Sequence, residues 1–336
     1  MRIRTTLVAV TAAALAGGGT AYADGGPAAG VTSGGAGVTW GSLRYVALPT
    51  PRGTAVAQID RATGTVNSFV SLRGSWRIPQ VAFDGSTAGV NTGGDVLVLG
   101  RNATTLYPKR TQFALVNPVK MRLQRIVALR GAFFFDAISP DGETMYLIQV
   151  ASPRNIWHYS VRAYDLRHDR LLPGAVVDKT EPDERMAGTP MARATSADGV
   201  WAYTLYAKPS GRYFVHALNT EAGVARCIDL PRLSSQNMPQ LSIDGARLNV
   251  VSEGQVLATV ERASFAVTRS PAPVAQSAPA PAEPTTPARP SSGGAPLWVG
   301  IPAALVLAGL VLLAVRRRRP ARGRSGGAAA GAPSGP

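Results

Sequence analysis

The chain has 336 residues, of which 45% are hydrophobic, and its 35 lysine and arginine residues against 20 aspartate and glutamate residues give a formal net charge of +15. Eight of the basic residues lie in the two terminal segments described below. The rest of the chain therefore carries +7, dispersed without basic runs, which argues against a nucleic-acid-binding protein. Cys227 is the only cysteine, so an internal disulfide is excluded.

The N-terminal segment, residues 1–23, has the three parts of a secretory signal peptide. Arg2 and Arg4 are followed by the short apolar stretch 7–15, and an Ala-Tyr-Ala sequence ends at Ala23. A membrane anchor is the alternative, but the apolar stretch is too short to span a bilayer. The pattern therefore predicts export, with cleavage after Ala23.

Residues 297–315, near the other end of the chain, are 19 residues without a charge. A bilayer core takes about 20 apolar residues in a helix, so we expect a transmembrane helix here rather than a buried core helix. A stop-transfer signal of four arginines follows and predicts a cytoplasmic C-terminus. These are Arg316, Arg317, Arg318 and Arg319. The tail, 316–336, is rich in glycine, alanine and proline and is expected to be basic and disordered.

Two further segments have compositions that do not favour a packed fold. Residues 24–37 are rich in glycine and are expected to be flexible. In residues 271–296 proline recurs every two or three positions, which predicts a semi-rigid stalk. Residues 38–270 are then the folded extracytoplasmic domain, which this stalk would hold away from the membrane.

Asp-Gly pairs recur through residues 38–270, at positions 84–85, 141–142, 198–199 and 244–245. An Asp-Gly pair between apolar segments is a strong hairpin signal. Strands of alternating polarity recur between these pairs, at residues 54–60, 111–117, 159–165, 213–219 and 255–261. The pattern predicts repeats of four antiparallel strands in roughly 50 residues, which must stack on one another to bury their faces.

The stretch Ile138-Ser-Pro-Asp-Gly142, followed by Met145-Tyr-Leu147, resembles the WD40-like repeat of TolB-type and YVTN-type β-propellers. The other Asp-Gly hairpins match it in outline, and the resemblance covers most of residues 41–268. It implies an all-β, β-propeller-like head of about five four-stranded repeats, to which the C-terminal transmembrane helix is added. A β-sandwich head is the structural alternative. Because propellers host many activities, the resemblance implies a fold and not a function.

Motifs for catalysis and for metal binding are missing from the sequence. The histidines His158, His168 and His216 do not have metal-ligand spacing, and Cys227 lies in an apolar stretch without an evident base. We therefore expect no metal, no cofactor and no catalytic residues.

An acidic loop is the weak candidate for ligand binding, and it comprises Asp178, Glu181, Asp183 and Glu184. Carboxylates in a loop could bind calcium or a basic partner. The EF-hand spacing is absent, and a solvated loop without a ligand is the alternative.

Together these features predict a single-pass protein of the bacterial cell membrane, with its N-terminal domain outside and its C-terminal tail in the cytoplasm. The expected role is non-catalytic binding, scaffolding or sensing at the cell envelope. A cell-wall glycan or another envelope protein is the expected partner, and nucleic acid is not. The alternatives are a lactonase-like or hydrolytic propeller enzyme and an accessory subunit of a membrane complex.

Overall fold

The computed structural model describes residues 36–270 apart from 106, 153–154, 182–185 and 234–237, and leaves out the side chains of residues 155–158. This part of the chain consists of β-strands and the turns that join them, without a helix. It therefore contains no helix long and apolar enough to cross a membrane. The predicted signal peptide with Ala23, the stalk, the transmembrane helix and the tail with Arg316, Arg317, Arg318 and Arg319 lie outside the described residues.

Twenty strands form five sheets, and each sheet is an antiparallel series of four strands that are consecutive in the chain. Sheet 1 contains β1 (Val38–Trp40), β2 (Leu43–Thr50), β3 (Gly53–Asp60) and β4 (Val66–Arg73). Sheet 2 contains β5 (Trp76–Arg77), β6 (Leu97–Arg101), β7 (Arg110–Asn117) and β8 (Arg122–Arg130). Sheet 3 contains β9 (Ala132–Ile138), β10 (Thr144–Ser152), β11 (Asn155–Asp165) and β12 (Arg170–Leu171). Sheet 4 contains β13 (Thr189–Thr195), β14 (Trp201–Ala207), β15 (Tyr213–Asn219) and β16 (Val224–Asp229), and sheet 5 contains β17 (Gln240–Asp244), β18 (Arg247–Ser252), β19 (Gln255–Glu261) and β20 (Val267–Arg269).

The predicted four-stranded repeat is confirmed, since five separate sheets are present where a β-sandwich would have two facing ones. The alternating strands predicted from the sequence are the third strands β3, β7, β11, β15 and β19. Each of them is an internal strand of its sheet, with a paired strand on either side.

Three of the four Asp-Gly pairs join the first strand of a sheet to the second, as predicted. In sheet 3, Asp141 Oδ1 accepts hydrogen bonds from the hydroxyl of Ser139 and from the amide of Glu143, which close the turn between β9 and β10. In sheet 4, hydrogen bonds from the Ser196 hydroxyl and the Val200 amide lower the pKa of Asp198. These aspartates are turn residues, because a short carboxylate can bond the backbone two residues on.

The remaining pair, Asp84-Gly85, also forms a turn, in which Asp84 Oδ1 accepts the amide of Ser86, but this turn does not join two named strands. It lies in the long connection 78–96 between β5 and β6, between two residues that form an isolated bridge, Gln80 and Thr87. In sheet 1 the corresponding tight turn is instead Gly41-Ser42, which has no aspartate.

Consecutive sheets pack on each other through buried apolar clusters. Members of these shared clusters include Val56 and Leu97 for sheets 1 and 2, Val98 and Leu147 for sheets 2 and 3, Val161 and Leu218 for sheets 3 and 4, and Val215 and Val250 for sheets 4 and 5. No cluster of this kind joins sheet 5 to sheet 1 in the part of the chain that is described. The sheets therefore stack in chain order, as the blades of a propeller-like array do.

The connection 78–96 joins the first strands of several sheets. The amides of Phe83 and Asp84 each donate to a carbonyl of β13 at 2.9 Å, so this segment extends the free edge of sheet 4. The amide of Gly93 donates to a carbonyl in the β9–β10 turn, and Thr92 Oγ1 donates to one in the β13–β14 turn. The indole of Trp40 in β1 donates to the carbonyl of Thr92 at 2.9 Å. One segment of sheet 2 thus holds sheets 1, 3 and 4 together where their first strands converge.

Candidate functional site

A buried ion pair occupies the junction of the first strands of sheets 3 and 4. Arg193 Nη1 in β13 lies 2.7 Å from Asp136 Oδ1 in β9, and the two side chains are only 4% and 2% exposed. The same guanidinium donates to the hydroxyl of Thr204 and to the carbonyl of Asp136. Asp84 Oδ2, from the connection 78–96, accepts the backbone amide of Arg193 at 3.3 Å. These charged groups join the two strands to each other and to the connection 78–96.

A cavity of about 160 Å³ lies between sheets 3 and 4, beside residues 176–181 and 186–187. Val176 forms a bridge to Val161 in β11, and Asp178 forms a parallel bridge to Ala225 in β16. Residues 176–178 therefore connect the two sheets beside the cavity. The cavity is lined by Val176, Val177, Asp178, Glu181, Met186, Ala187, Lys208, Phe214, His216 and Cys227. This mixture of apolar side chains and a few charged or hydrogen-bonding groups is typical of a small-molecule site.

Asp178, from the predicted acidic loop, lines this cavity but is buried rather than solvated. Its carboxylate accepts hydrogen bonds from the amide and hydroxyl of Thr180, from the amide of Cys227 at 3.0 Å and from Arg226 Nη1 at 3.2 Å. Burial raises the pKa of Asp178, but these hydrogen bonds and the Arg226 charge outweigh burial and leave the pKa below its usual value. Asp178 therefore fixes the loop onto β16 as an ionised group.

The other members of the acidic loop are placed only in part. Glu181 lines the cavity, and its amide donates to the carbonyl of Asp178. Asp183 and Glu184 lie outside the described residues. Among the residues that are described, no group of three His, Cys, Asp or Glu side chains is arranged to hold a metal ion.

His216 and Cys227 lie directly opposite each other in the cavity wall, on β15 and β16. Opposed residues of an antiparallel pair project from the same face with Cβ atoms roughly 5 Å apart. His216 is 1% exposed, and its ring meets that of Tyr206 edge-on, with 6.4 Å between centroids. The expectation that Cys227 has no basic neighbour is therefore wrong. That His216 lies opposite Cys227 depends on the register of β15 and β16, and this register cannot be read from the sequence of the two strands and their turn.

The structure describes the side chains of two of the three histidines, His168 and His216, and they lie in different sheets. His168 Nδ1 lies 2.8 Å from Asp165 Oδ2 in the β11–β12 turn, far along the chain from His216. His158 lies within β11, and its side chain is outside the described residues.

Lys208 and Phe214 give the cavity a cation beside an aromatic face. Lys208 Nζ lies 4.9 Å from the centroid of the Phe214 ring and 2.9 Å from Asp229 Oδ1. Phe214 in turn stacks on Tyr206, with 5.1 Å between ring centroids. An aromatic wall with an ammonium, a carboxylate and an imidazole around it suits a small polar molecule that has one apolar face.

A second, more open cleft of about 480 Å³ lies between sheets 2 and 3. Its carboxylates include Asp141, which is engaged in its turn, and Glu143, which forms an ion pair with Arg167. Arg125, also in this cleft, forms an ion pair with Asp169. The described lining of this cleft has no aromatic residue, unlike that of the cavity between sheets 3 and 4, and the cleft is therefore the weaker candidate.

Comparison with known proteins gives no family assignment. No protein-family model matches the chain, and no curated protein matches it. Solved structures with a similar chain path include TolB from Acinetobacter baumannii, at 12% identity and a TM-score of 0.38, and BamB from Moraxella catarrhalis, at 13% and 0.38. The β-propeller domain of Cps50 (Swd1) from Myceliophteria thermophila has 12% identity and a TM-score of 0.40.

These likenesses cover about two thirds of this chain, namely 66%, 69% and 68% in the same order. They cover 49%, 58% and 67% of the neighbours, so this chain spans about half of TolB. The TM-scores and sequence identities are low, and the five-sheet architecture is defined by the strand pairing of this chain alone.

Proposed function

We propose that this protein is an exported, single-span membrane protein whose β-sheet head binds a component of the cell envelope without catalysing a reaction. The observation that carries the proposal is the cavity between sheets 3 and 4, which combines an aromatic face with the polar groups of Asp178, Lys208 and His216. The proposed location, on the outer side of the cell membrane, is supported by the predicted signal peptide, stalk and transmembrane segment.

The position of the cavity supports binding at the side of the head. Propellers commonly bind at the centre, but here the connection 78–96 and the Arg193–Asp136 pair join the first strands of the sheets. The side cavity is lined in part by residues that follow the last strand of sheet 3 and are held to sheet 4 by Asp178. Binding residues are commonly carried on loops that a rigid scaffold positions, and these residues fit that arrangement.

The net positive charge of the exported part supports an anionic envelope component as the partner. The exported part carries +7 in dispersed residues, which favours association with an anionic polymer. A cavity of about 160 Å³ holds one small group, such as a single sugar unit or a side chain of a larger partner. The remaining contacts would then be made by the dispersed basic residues of the exported part.

The test uses the detergent-solubilised full chain and purified bacterial cell-wall sacculi. We expect the wild-type chain to co-sediment with the sacculi. Ala187→Trp, which fills the cavity, and Lys208→Gln, which removes its cation, should each lower the bound fraction several-fold. Ala62→Trp and Lys120→Gln are matched controls at exposed positions outside the cavity and should bind like the wild type.

Two results would contradict the proposal. The first is co-sedimentation that is equal in the cavity variants and their controls, because the cavity would then be irrelevant. The second is a wild-type chain that does not bind sacculi and is not cross-linked to any envelope protein in intact cells.

A hydrolytic enzyme is the second candidate, and the observation that favours it is His216 opposite Cys227 in the cavity wall. A thiol beside an imidazole is an arrangement for nucleophilic catalysis. The full chain is assayed with p-nitrophenyl acetate and a simple lactone, next to Cys227→Ala. Turnover that Cys227→Ala abolishes would establish the enzyme, and equal background rates would remove this candidate.

A further inference from the structure

The outer strand of sheet 1, β4, exposes apolar side chains at an edge that no described strand pairs with. Phe69 is 63% exposed and Val66 is 54% exposed. From Val66 to Leu72 the strand has no charge, and Arg73 is its last residue. An unpaired edge of this length is a template for the addition of another strand, and natural proteins usually protect such edges.

The other outer strands show that protection. β12 and β20 are only two and three residues long. The edge of β16 is partly covered by the bridge from Asp178 to Ala225. β8 is as long as β4, but it has arginines at both ends and in its middle, namely Arg122, Arg125 and Arg130. Among the five outer strands of the described part of the chain, β4 is therefore the long one that is left unprotected.

We propose that β4 pairs antiparallel with β4 of a second copy of this chain, with Phe69 opposite Phe69, so that two sheets 1 join into one eight-stranded sheet. In this register Arg73 lies opposite Thr65 of the second copy, so no like charges meet. The two Phe69 rings form an aromatic cross-strand pair, which is among the favourable pairs in antiparallel sheets. The same surface patch serves both copies, as in a two-fold symmetric interface.

Charge shows why β4 and not β8 suits self-pairing. An antiparallel pairing of β8 about its centre, Ile126, places Arg122 opposite Arg130 of the other copy at each end. Like charges directly opposite each other destabilise a strand pair. β4 has a similar length and is also the outer strand of its sheet, but its self-pairing does not bring like charges together.

The sequence also argues that the added strand is not supplied by the ends of this chain. Residues 24–35 are dominated by glycine and small residues, and residues 271–296 have proline every two or three positions. Glycine is depleted in strands, and proline cannot donate to a strand ladder. By contrast, β4 of a second copy is already a strand, which contains valine, serine and phenylalanine and has the same order of side chains on its two faces as the first copy.

The face of sheet 1 next to this edge supports the proposal. Phe69 is opposite Ala57 in β3, and Ala57 is opposite Val46 in β2, so the three form one row across the sheet. Leu48, two residues along β2 on the same face, is 50% exposed. Joining two copies through β4 would continue this apolar row across six of the eight strands and cover the exposed Phe69 side chains.

The first test is disulfide cross-linking of the full chain in membranes. We expect Phe69→Cys to give a covalent dimer on mild oxidation, because two copies of this position face each other. Ala128→Cys, an exposed position on β8, and the wild-type chain, which has Cys227, measure random collision. Equal cross-linking at positions 69 and 128, a ladder of larger species, or a cross-link from position 69 to a different protein would each overturn the proposal.

A charge exchange tests the same pairing without a disulfide. In detergent, the mass of the wild-type chain should be that of a dimer, whereas Phe69→Lys and Phe69→Glu should each be monomeric. A mixture of the two variants should recover a dimer that contains one copy of each, which also shows that both variants fold. Ala128→Lys is the control and should stay dimeric. A monomeric wild type, or a mixture of the two charge variants that stays monomeric, would contradict pairing through β4.

Discussion

Arg193 in β13 and Asp136 in β9 form an ion pair of 2.7 Å, and both side chains are almost completely buried. The two residues belong to different sheets, so this pair joins the first strands of sheets 3 and 4 at the point where the sheets converge. The Arg193 guanidinium donates further hydrogen bonds to the Thr204 hydroxyl and to the backbone carbonyl of Asp136. A buried pair is costly to break, because one charge is then left without a partner.

We predict that Asp136→Leu lowers the free energy of unfolding by about 3–5 kcal/mol, since it leaves the Arg193 guanidinium buried and unpaired. The double variant Asp136→Leu/Arg193→Met should be more stable than Asp136→Leu alone, because no uncompensated charge remains. Denaturant unfolding of the full chain in detergent, followed by tryptophan fluorescence, measures both. The exposed pair Arg247–Glu261 is the control, and Glu261→Gln should cost about 0–1 kcal/mol. A double variant less stable than the single one would contradict this account.

The connection 78–96 is held against sheet 1 by a close approach of Gly94 to Trp40. A Cβ atom at Gly94 would lie 2.0 Å from the Trp40 ring, whereas a Cβ atom at Gly64 would meet nothing within 4 Å. Both glycines have a φ of +71°, so alanine pays a similar backbone strain, about 1–2 kcal/mol, at either position.

We therefore expect Gly94→Ala to destabilise the head by about 1–3 kcal/mol more than Gly64→Ala, because the Trp40 ring must move. The two free energies of unfolding are measured side by side. Equal losses in the two variants would show that Trp40 does not hold the connection 78–96 in place.

The hydrogen bonds to Asp178 predict a loss of stability in acid. The pKa of Asp178 is lowered in the folded protein, so its contribution is present above the unfolded pKa of about 3.9 and is lost as pH falls through the folded value. Asp178→Asn, which cannot ionise, should be less stable than the wild type at neutral pH. The gap should shrink below about pH 4. Unfolding curves at several pH values measure the gap, and a gap that is independent of pH would contradict the assignment.

Tyr146 in β10 predicts a loss of stability at alkaline pH. Burial, and to a lesser degree the charge of Asp141, raises the pKa of Tyr146 to about 12, and its hydroxyl donates to the carbonyl of Thr220 at 2.9 Å. A raised pKa gives a contribution that is present below the unfolded value of about 10 and is lost as pH rises through the folded value.

Tyr146→Phe should cost about 0.5–1.5 kcal/mol at neutral pH through the lost hydrogen bond. It should also weaken the decline of stability between about pH 10 and pH 12. Unfolding at neutral and alkaline pH checks both effects. A wild type and a variant that decline equally above pH 10 would show that Tyr146 titrates normally.

The four-stranded repeat could be predicted because its signals are local. The Asp141-Gly142 turn and the alternating strand that ends in Asn219 depend on residues within a few positions of each other. Asp84-Gly85 gives the same local signal but lies in the connection 78–96. Its position is set by hydrogen bonds to β13, more than 100 residues further along the chain, and a local pattern has no information on such a contact.

The candidate site could be predicted only in part for the same reason. The acidic loop was singled out by composition, and the structure places Asp178 and Glu181 at the cavity. The burial of Asp178 depends on Arg226 and the Cys227 amide, which belong to the next sheet. Likewise, the pairing of His216 with Cys227 follows from the register of β15 and β16, and the Arg193–Asp136 pair joins residues 57 positions apart.

Labelling of intact cells with a membrane-impermeant maleimide tests most directly whether the head is exported and held on a single membrane span. Ala263→Cys places a thiol on an exposed turn of sheet 5, and Ser325→Cys places one in the tail, while the wild-type chain gives the background from Cys227. The account predicts that position 263 is labelled in intact cells and position 325 only after lysis. Labelling of position 325 in intact cells, or of position 263 only after lysis, would contradict it.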